Sequence, residues 1–361
     1  MSTRKTALRE GGKHTGARRT AALLLALLLL CGLAGCGNGA ADADGKKEGQ
    51  LRIVATIFPE YDWVKNLLGE NPGGATVTLL LDSGTDMHSF QPTAEDMMTI
   101  ASCDLFIYVG GESDSWVRDA LRNAGNPGRI AVDLLSVLGD AAKEEVLLEG
   151  MQEEAEENGA DEAEDGHDDA TDHGHGSADS HVTGYDEHVW LSLRNAQACC
   201  RAITDALIRL DPENKAYYEE TLASYMEKLD TLDKAYTDAV GRAGRKTLLF
   251  GDRFPFRYLA DDYGLTCYAA FSGCSAETEA SFETVIFLAE KTDTLSLPCV
   301  LVIDGSDERI ARTIIENTAA KDQRVLTLDS MQSVTDKEID AGETYLGIME
   351  KNLGVLKEAL N

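Results

Sequence analysis

Short apolar runs rich in β-branched residues alternate along this chain with segments whose apolar residues recur every three or four positions. Runs of the first kind predict buried strands, and segments of the second kind predict amphipathic helices. In the first part of the chain, strands are predicted over residues 51–56, 75–81, 105–109 and 129–132. The helices between them are predicted over residues 61–68, 93–101 and 115–123. This alternation predicts βαβ units around a parallel sheet.

The longest periodic segment follows Asp211 and Pro212, which predict an N-cap and a first helical position. A shorter helix is predicted just before it, over residues 195–210. Up to about Arg242 the apolar residues of the long helix form one stripe, which consists of Tyr218, Leu222, Tyr225, Leu229, Leu232, Tyr236 and Val240. At 1.5 Å per residue this helix is about 45 Å long, a length that suits a spine between two lobes.

After the long helix the alternation of strands and helices starts again. Strands are predicted over residues 247–250, 266–271, 299–303 and 325–328. Helices are predicted over residues 256–263, 282–291, 308–317 and 344–360. The sequence therefore predicts an α/β fold of two lobes, each with a mostly parallel sheet flanked by helices, joined by one long helix. In such folds ligands bind in the crevice outside the carboxyl ends of the strands, which here lies between the lobes.

The length of 361 residues suits one large or two medium domains. The formal net charge is −30, from 63 acidic against 33 basic residues. This charge argues against a nucleic-acid partner, because no basic surface is evident to replace the phosphate counterions. Cys199 and Cys200 are adjacent within a helical pattern and are expected as small buried residues. Cys267 and Cys299 lie on predicted strands and are candidates for a disulfide.

The first forty residues resemble a bacterial lipoprotein signal. Basic residues precede an apolar run over residues 21–30, and Leu33-Ala34-Gly35-Cys36 then places small residues before a cysteine. The run is shorter than the about 20 apolar residues that span a bilayer. The resemblance implies a signal peptide over residues 1–35, diacylation of Cys36, and a flexible tether over residues 36–49. We therefore expect the protein at the extracytoplasmic face of the cell membrane, anchored in membrane lipid.

An acidic tract interrupts the first lobe. Between Glu144 and His188 the chain has five histidines and seventeen acidic residues but no Lys or Arg. This composition cannot bury enough apolar surface to offset the entropy of ordering, so residues 144–185 are predicted to be a disordered loop. The other predicted parts are the first lobe over residues 50–143 and 186–212, the linking helix over residues 213–243 and the second lobe over residues 244–361.

The histidines of the tract are candidate metal ligands. Imidazole nitrogens suit zinc, nickel and copper, and the carboxylates raise the local cation concentration. Four of these histidines are expected to form a mobile collector that binds metal weakly and exchangeably, and they are His167, His173, His175 and His181. His188 differs from them, because the apolar residues that follow it fix it where the loop rejoins the fold.

A further histidine, His88, follows the second predicted strand. It lies in a loop directly before a helix with Thr93 as N-cap and Asp96 in the first turn. A single histidine is more often a surface or core residue than a ligand. Its place at the carboxyl end of a strand makes His88 a candidate ligand in the crevice.

The segments around these two histidines resemble a known family. Met87-His88-Ser89-Phe90-Gln91-Pro92-Thr93 and Glu187-His188-Val189-Trp190-Leu191-Ser192 are similar to the two histidine motifs of zinc/manganese ABC-transporter solute-binding lipoproteins. In that family a loop rich in His and Asp precedes the second motif, as it does here. The resemblance covers residues 51–360. It implies a metal site between the lobes, with two histidines from the first lobe and two ligands from the second.

The second lobe of this chain matches the family's ligand pattern less closely than the first lobe does. The family has an acidic residue after a late strand, which matches Asp329, although a turn cap is the alternative role for that side chain. The family also has a His or Glu at the end of the first strand of the second lobe, where this chain has Arg253. Arginine has no lone pair for a cation. Either Asp252 is the ligand, which we favour, or Arg253 pairs with a carboxylate and the site has three protein ligands.

The loop after the next strand offers other donors. Cys274, Glu277 or Glu279 can complete the site, and a thiolate would favour zinc. For the two glutamates we favour a different role, with Ser275 as N-cap and both acids in the first helical turn. The same capping role is the alternative for Glu60, which follows the first strand.

These observations predict a binding protein that captures extracytoplasmic Zn²⁺ and delivers it to a membrane permease, without catalysis. Manganese is the second candidate metal, because more oxygen ligands favour it. Affinity is expected to fall at acidic pH, where the histidines bind protons. A monomer is expected. The alternatives are a lipid-anchored metal-dependent hydrolase, which needs an open position for water at the metal, and a metal buffer or adhesin without a permease.

Overall fold

The computed structural model describes residues 50–122, 125–151, 184–275 and 279–361. The predicted signal peptide, tether, Cys36 and the collector histidines His167, His173, His175 and His181 lie outside these residues. Most of the predicted 144–185 loop and Glu277 also lie outside them. Among the described residues, no helix combines the length and the apolar character needed to cross a membrane.

The first lobe is built on a parallel sheet of four strands in the order β2-β1-β3-β4. The strands are β1 (Arg52–Ala55), β2 (Thr76–Leu79), β3 (Leu105–Tyr108) and β4 (Ile130–Asp133). The helices of this lobe are α1 (Phe58–Leu68), α2 (Ala94–Ser102), α3 (Val117–Arg122), α4 (Leu134–Leu138) and α5 (Leu193–Leu210). His88 lies within a short 3₁₀ turn at Met87–Ser89. His188 directly precedes a second short 3₁₀ turn at Val189–Leu191.

A long helix, α6 (Lys215–Arg242), leads to the second lobe, whose parallel sheet has the order β6-β5-β7-β8. The strands are β5 (Thr247–Phe254), β6 (Thr266–Ser272), β7 (Cys299–Ile303) and β8 (Arg324–Leu328). The helices are α7 (Arg257–Tyr263), α8 (Phe282–Thr294), α9 (Arg309–Asn317), α10 (Asp336–Asp340) and α11 (Tyr345–Ala359). The predicted two-lobed α/β fold with parallel sheets is confirmed.

Burial explains why the predicted strands read as continuous apolar runs. All residues of β7 are buried, and β1 and β3 are buried over three of their four positions. A strand covered by helices on both faces of the sheet gains from apolar residues at every position, so it shows no alternation of polar and apolar side chains. The two sheets therefore form the centres of the two lobes.

The long helix begins three residues later than the sequence predicted. Pro212–Asn214 forms a 3₁₀ turn, and α6 starts at Lys215. Asp211 makes no capping bond to the backbone of this turn; its carboxylate accepts hydrogen bonds from Asn214 Nδ2 and Tyr218 Oη, each at 2.7 Å. The predicted apolar stripe is confirmed, since six of its seven members are buried. They are Tyr218, Tyr225, Leu229, Leu232, Tyr236 and Val240.

The prediction that Ser275 caps the helix after β6 is wrong. That helix begins at Phe282, and its N-cap is Ser281, whose hydroxyl accepts a hydrogen bond from the Thr284 N–H at 3.1 Å. Two candidate caps lie within one loop, and the apolar face that packs on the sheet decides between them. The start of α8 at Phe282 agrees with the helix predicted over residues 282–291, so only the predicted cap differs.

The predicted disulfide candidates are free thiols. Cys267 and Cys299 are buried and unbridged. Cys267 lies on β6 and Cys299 on β7, with β5 between those strands. Two strand spacings amount to about 9.5 Å, which exceeds the Cα separation that a disulfide spans. Cys199 and Cys200 are fully buried in α5, as predicted.

Candidate metal site between the lobes

His88 and His188 meet although a hundred residues separate them along the chain. Their Nε2 atoms are 3.2 Å apart, and their ring centroids are 5.2 Å apart. His188 is fully buried, whereas His88 is partly exposed. The two rings come from the two 3₁₀ turns of the first lobe, so each is held by its own short turn.

The Nδ1 atom of each ring faces a polar partner on its other side. His188 Nδ1 lies 3.0 Å from Asp186 Oδ1, and a carboxylate there fixes the proton on Nδ1. His88 Nδ1 lies 2.8 Å from the Ser113 hydroxyl and 3.6 Å from Glu187 Oε2. These partners direct Nε2 of both rings toward the same point. Histidine ligands in metal sites are commonly oriented in this way.

Burial sets the protonation state of this cluster. Burial and, after it, the neighbouring His188 lower the pKa of His88 to about 4. His88 therefore stays neutral, with a free lone pair, well below neutral pH. Burial raises the pKa of Glu187 above its usual value, although hydrogen bonds from Ser113 oppose the shift.

Asp86 and Arg253 join the two lobes beside the histidines. Arg253 donates a hydrogen bond to Asp86 Oδ2 at 2.7 Å, and Asp86 Oδ1 accepts one from the His88 backbone N–H at 3.0 Å. Burial opposes the charge of Asp86, but Arg253 and His88 outweigh it and hold the pKa of Asp86 below its usual value. The predicted alternative in which Arg253 pairs with a carboxylate is thus found in the structure.

The strand β5 explains why Arg253 points into the cleft. It runs to Phe254, four residues beyond the predicted end, and its pairing with β6 shifts register between Phe250 and Arg253. Such an irregularity redirects the side chains that follow it. Gly251 within the shifted segment allows α9 to pack closely, because a Cβ there would lie 2.5 Å from Ala311 Cα.

A third metal donor lies beside the histidine pair. Among the described residues, the ligand atoms of His88, His188 and Cys274 form a group in which all lie within 4.8 Å of one another. Cys274 follows β6 and comes from the second lobe. Burial is the main cause that raises the pKa of its thiol, with added repulsion from Glu145 and Glu187.

The predicted second-lobe ligands Asp252 and Asp329 are not part of this group. Asp252 Oδ1 accepts a hydrogen bond from the next backbone N–H, of Arg253, at 2.8 Å. Asp329 Oδ1 accepts one from the Met331 N–H at 2.8 Å, which is the turn-capping role. Burial and the nearby Asp304 raise the pKa of Asp329 to about 7. Glu279 is exposed.

Beside the pair lies a cleft of about 510 Å³ whose lining comes from both lobes. Polar residues dominate the lining, among them Asp86, Arg253, Asp304, Ser330 and Gln332. Glu60 lies apart from it in the first-lobe core. Its Oε2 accepts hydrogen bonds from the backbone N–H groups of Thr56 and Ile57 and from the Thr56 hydroxyl, so its predicted capping alternative is confirmed.

The sequence did not single out three residues that orient the histidines. Asp186 and Glu187 directly precede His188, and Ser113 lies in the loop after β3. A signal for Ser113 was available in the sequence. It is a polar residue at the carboxyl end of a parallel strand, and it follows the glycine pair Gly110 and Gly111. For the two acids the signal was their adjacency to a histidine at the edge of the fold.

Two parallel-sheet lobes with a polar cleft between them, and a buried histidine pair beside it, define the class of two-lobed binding proteins. The family model described as zinc-uptake complex component A, periplasmic (ZnuA) matches residues 53–359. The chain belongs to this family.

Relatives and solved structures agree with this assignment. The high-affinity zinc uptake system protein ZnuA of Bacillus subtilis is 30% identical over 332 residues, which are 91% of this chain and 93% of that protein. The zinc-binding lipoprotein AdcA of Streptococcus pneumoniae is 32% identical over 326 residues, or 90% of this chain. The chain spans 58% of the length of that relative. The Zn(II)-bound ZnuA-like domain of the same AdcA superposes with a TM-score of 0.62 at 28% identity, covering 86% of this chain and 99% of the domain.

Proposed function

We propose that this protein captures Zn²⁺ outside the cytoplasmic membrane and delivers it to the permease of an ABC transporter. Membership of a zinc-uptake family and the names of the relatives, a zinc-binding lipoprotein and a zinc uptake system protein, support the proposal. Zinc is the cargo, with Mn²⁺ as the second candidate metal. The proposed role is binding and transfer without catalysis.

The distance between the two Nε2 atoms is the observation that carries the proposal. A tetrahedral zinc ion with two nitrogen ligands at about 2.0–2.1 Å holds the two nitrogen atoms about 3.3 Å apart. The Nε2 atoms are 3.2 Å apart. Because Asp186 keeps the proton of His188 on Nδ1, the Nε2 of His188 carries a lone pair toward the other ring. A zinc ion between the two nitrogens replaces this contact by two metal–nitrogen bonds.

We propose His88 and His188 as ligands on this geometry. Asp329 and Asp252 stay proposed ligands on the family resemblance. Each of these carboxylates accepts a hydrogen bond from a backbone N–H of its own turn. Metal binding by either one therefore has to use the second oxygen or replace that bond.

The remaining parts of the proposal concern attachment and partners. We propose that acylated Cys36 anchors a monomer in membrane lipid, so that the mature chain stays near the permease. The name lipoprotein for the pneumococcal relative supports this anchor. We also propose that His167, His173, His175 and His181 collect metal ions and that the buried pair receives them.

The test is zinc titration of the purified tag-free protein in the presence of a competing chelator, which masks weak sites. The wild type is expected to bind one zinc ion tightly. The double variant His88→Ala, His188→Ala is expected to lose at least about a hundredfold in affinity, because removal of even an outer partner of a metal ligand costs about 10- to 100-fold. The matched control is His173→Ala, His175→Ala, which is expected to keep the tight site.

A double variant at His88 and His188 that still binds one zinc ion tightly would place the site elsewhere. The transport half of the proposal is tested by growth under zinc chelation. A strain that lacks the protein is expected to grow poorly until zinc or the wild-type gene is supplied. Unchanged growth would instead support a buffer or adhesin without a permease.

A further inference from the structure

Cys274 differs from the other described cysteines in its surroundings. Cys103, Cys199, Cys200, Cys267 and Cys299 are buried in the cores of the two lobes. Cys274 lies in the loop after β6, and its sulfur forms a group with the two histidines within 4.8 Å. Its backbone N–H donates a hydrogen bond to Glu145 Oε1 at 3.1 Å, which holds the start of this loop against the segment that follows the first part of the first lobe.

The preceding glycine explains how the loop comes so close. A Cβ at Gly273 would lie 3.0 Å from His188 Cε1, 3.2 Å from His188 Nδ1 and 2.9 Å from the Phe254 carbonyl oxygen. The 2.9 Å separation from a backbone oxygen is shorter than a Cβ tolerates, and the two separations from the ring are tight, so glycine lets the backbone pass close beside His188. The close approach carries the next residue, Cys274, next to the histidine pair.

Arg253 and Cys274 occupy neighbouring strand ends. In the parallel pair of β5 and β6, Arg253 lies opposite Phe271, and Cys274 follows three residues later. The family resemblance places a donor at Arg253, where this chain has a guanidinium bound to Asp86. The thiol therefore supplies, from the adjacent strand end, a donor that β5 does not.

We propose that the Cys274 thiolate is the third protein ligand of the zinc ion, together with Nε2 of His88 and Nε2 of His188. The inference rests on the proposed function and names the donor set of the same site. Zinc binding exchanges the S–H bond of Cys274 for an S–Zn bond and releases one proton to water. A zinc ion with a Zn–S distance of about 2.3 Å and Zn–N distances of about 2.0–2.1 Å places the sulfur about 3.6 Å from each nitrogen. The three donor atoms lie within 4.8 Å of one another, so zinc binding brings them closer by about 1 Å.

A thiolate in the donor set determines which metal the site prefers. Soft sulfur ligands select zinc, whereas manganese prefers carboxylate and other oxygen ligands. A site with two imidazoles and one thiolate therefore favours Zn²⁺ over Mn²⁺ more strongly than a site of imidazoles and carboxylates. This preference follows from the chain itself and does not depend on the metal that any relative binds.

The test is cobalt substitution of the full protein under reducing conditions. Wild type loaded with Co²⁺ is expected to show a sulfur-to-cobalt charge-transfer band in the near ultraviolet. Cys274→Ser is expected to lose this band and to bind zinc at least about tenfold more weakly. Cys267→Ser, which changes a buried thiol at the other end of β6, is expected to keep both the band and the affinity.

X-ray absorption at the zinc edge of the wild type is an independent measurement that needs no variant. One sulfur neighbour at about 2.3 Å is expected. A zinc shell of nitrogen and oxygen only, or a Cys274→Ser variant that keeps the band, would overturn the inference while leaving the proposed function intact. A wild type that binds neither cobalt nor zinc would overturn both.

Discussion

His88 and His188 face each other through Nε2 because other residues occupy their Nδ1 sides. Asp186 and Glu187 are both 2% exposed, and each serves a different ring. Asp186 contacts His188 directly, and Glu187 holds the Ser113 backbone N–H at 2.9 Å while Ser113 contacts His88. Two adjacent acids in the sequence thus orient two histidines that come from different turns. Outer residues of this kind fix the orientation of histidine ligands in metal sites.

Glu60 provides a prediction on the pH dependence of stability. Burial, with a contribution from Asp114, raises its pKa from 4.5 to about 8. Between these values the folded state keeps a proton that the unfolded state loses, so the free energy of unfolding falls as the pH rises. Glu60→Gln has no proton to lose at this position, so its free energy of unfolding is expected to fall less steeply as the pH rises. The difference between its slope and that of the wild type is expected to be up to about 1.4 kcal/mol per pH unit.

Urea unfolding of wild type and Glu60→Gln between pH 5 and pH 8 measures this difference. Glu70→Gln is the control, because it changes an exposed carboxyl just after the same helix. Its pH dependence is expected to match that of the wild type. Equal slopes for wild type and Glu60→Gln would contradict the assignment of a buried, protonated Glu60.

Among the secondary-structure elements, β5 and the loop after β6 do most to shape the site. The register shift in β5 turns Arg253 toward Asp86, and the loop carries Cys274 toward the histidines. Both elements end at the carboxyl edge of the second sheet. The apolar pattern that predicts helices and strands carries no signal of the register shift or of the close loop. Both features depend on how β5, β6 and His188 pack together.

Gly273→Ala tests the contribution of the loop. The new methyl group would lie 3.0 Å from His188 Cε1 and 2.9 Å from the Phe254 carbonyl oxygen, so the loop has to move away from the ring. We expect zinc affinity to fall at least about tenfold, and stability to fall by about 1–3 kcal/mol from overpacking. Zinc titration and thermal unfolding measure the two effects.

Gly354→Ala is the matched control, since it lies in α11 with no atom within 4 Å of the new methyl group. Alanine is the better helix former, so this variant is expected to be more stable by up to about 1 kcal/mol with unchanged zinc affinity. If Gly273→Ala binds zinc as tightly as the wild type, the close approach of the loop is not needed for the site.

At the scale of the whole molecule, the two lobes are held together by contacts on several sides of the site. Trp190 Nε1 donates a hydrogen bond to the Ser330 carbonyl at 2.8 Å, and the Tyr345 hydroxyl donates one to the Trp190 carbonyl at 2.7 Å. The Asp336 N–H donates to the Asp82 carbonyl at 2.9 Å. With the Asp86–Arg253 pair, these bonds fix the second lobe against the two segments of the first lobe that carry His88 and His188.

Deletion of residues 152–183 separates the collector role from the buried site. Because the proposed ligands lie outside this segment, the deletion is expected to leave one tight zinc ion per chain and the same zinc-induced stabilisation. That stabilisation is about 2.7 kcal/mol when free zinc is a hundred times the dissociation constant. Total zinc bound without a chelator and the rate of capture at low zinc are expected to fall.

Stopped-flow capture from a fluorescent chelator and thermal unfolding with and without zinc measure these outcomes. The comparison protein is the full chain with His188→Ala, which is expected to lose the stabilisation while keeping weak zinc binding by the tract. A deletion variant that no longer gains stability from zinc would place the tight site in the tract and contradict the assignment to His88 and His188.

The sequence by itself determined the elements and the two histidines. Apolar periodicity is a local property, so strands such as β7 and the stripe of α6 could be predicted from neighbouring residues alone. The lobes follow, because alternating strands and helices have few ways to pack. His88 stood out because it lies at the carboxyl end of a predicted strand, and His188 because apolar residues follow it where the loop rejoins the fold.

Only the tertiary structure decided which donors meet. Arg253 pairs with Asp86 of the other lobe, Cys274 reaches the histidines across a glycine, and Ser281 rather than Ser275 caps α8. Asp252 and Asp329 lie at strand ends, as expected, but their carboxylates bond to their own turns. The reason is physical: a strand's position follows from local pattern, but contacts between side chains of distant segments depend on register and packing, which no local pattern specifies.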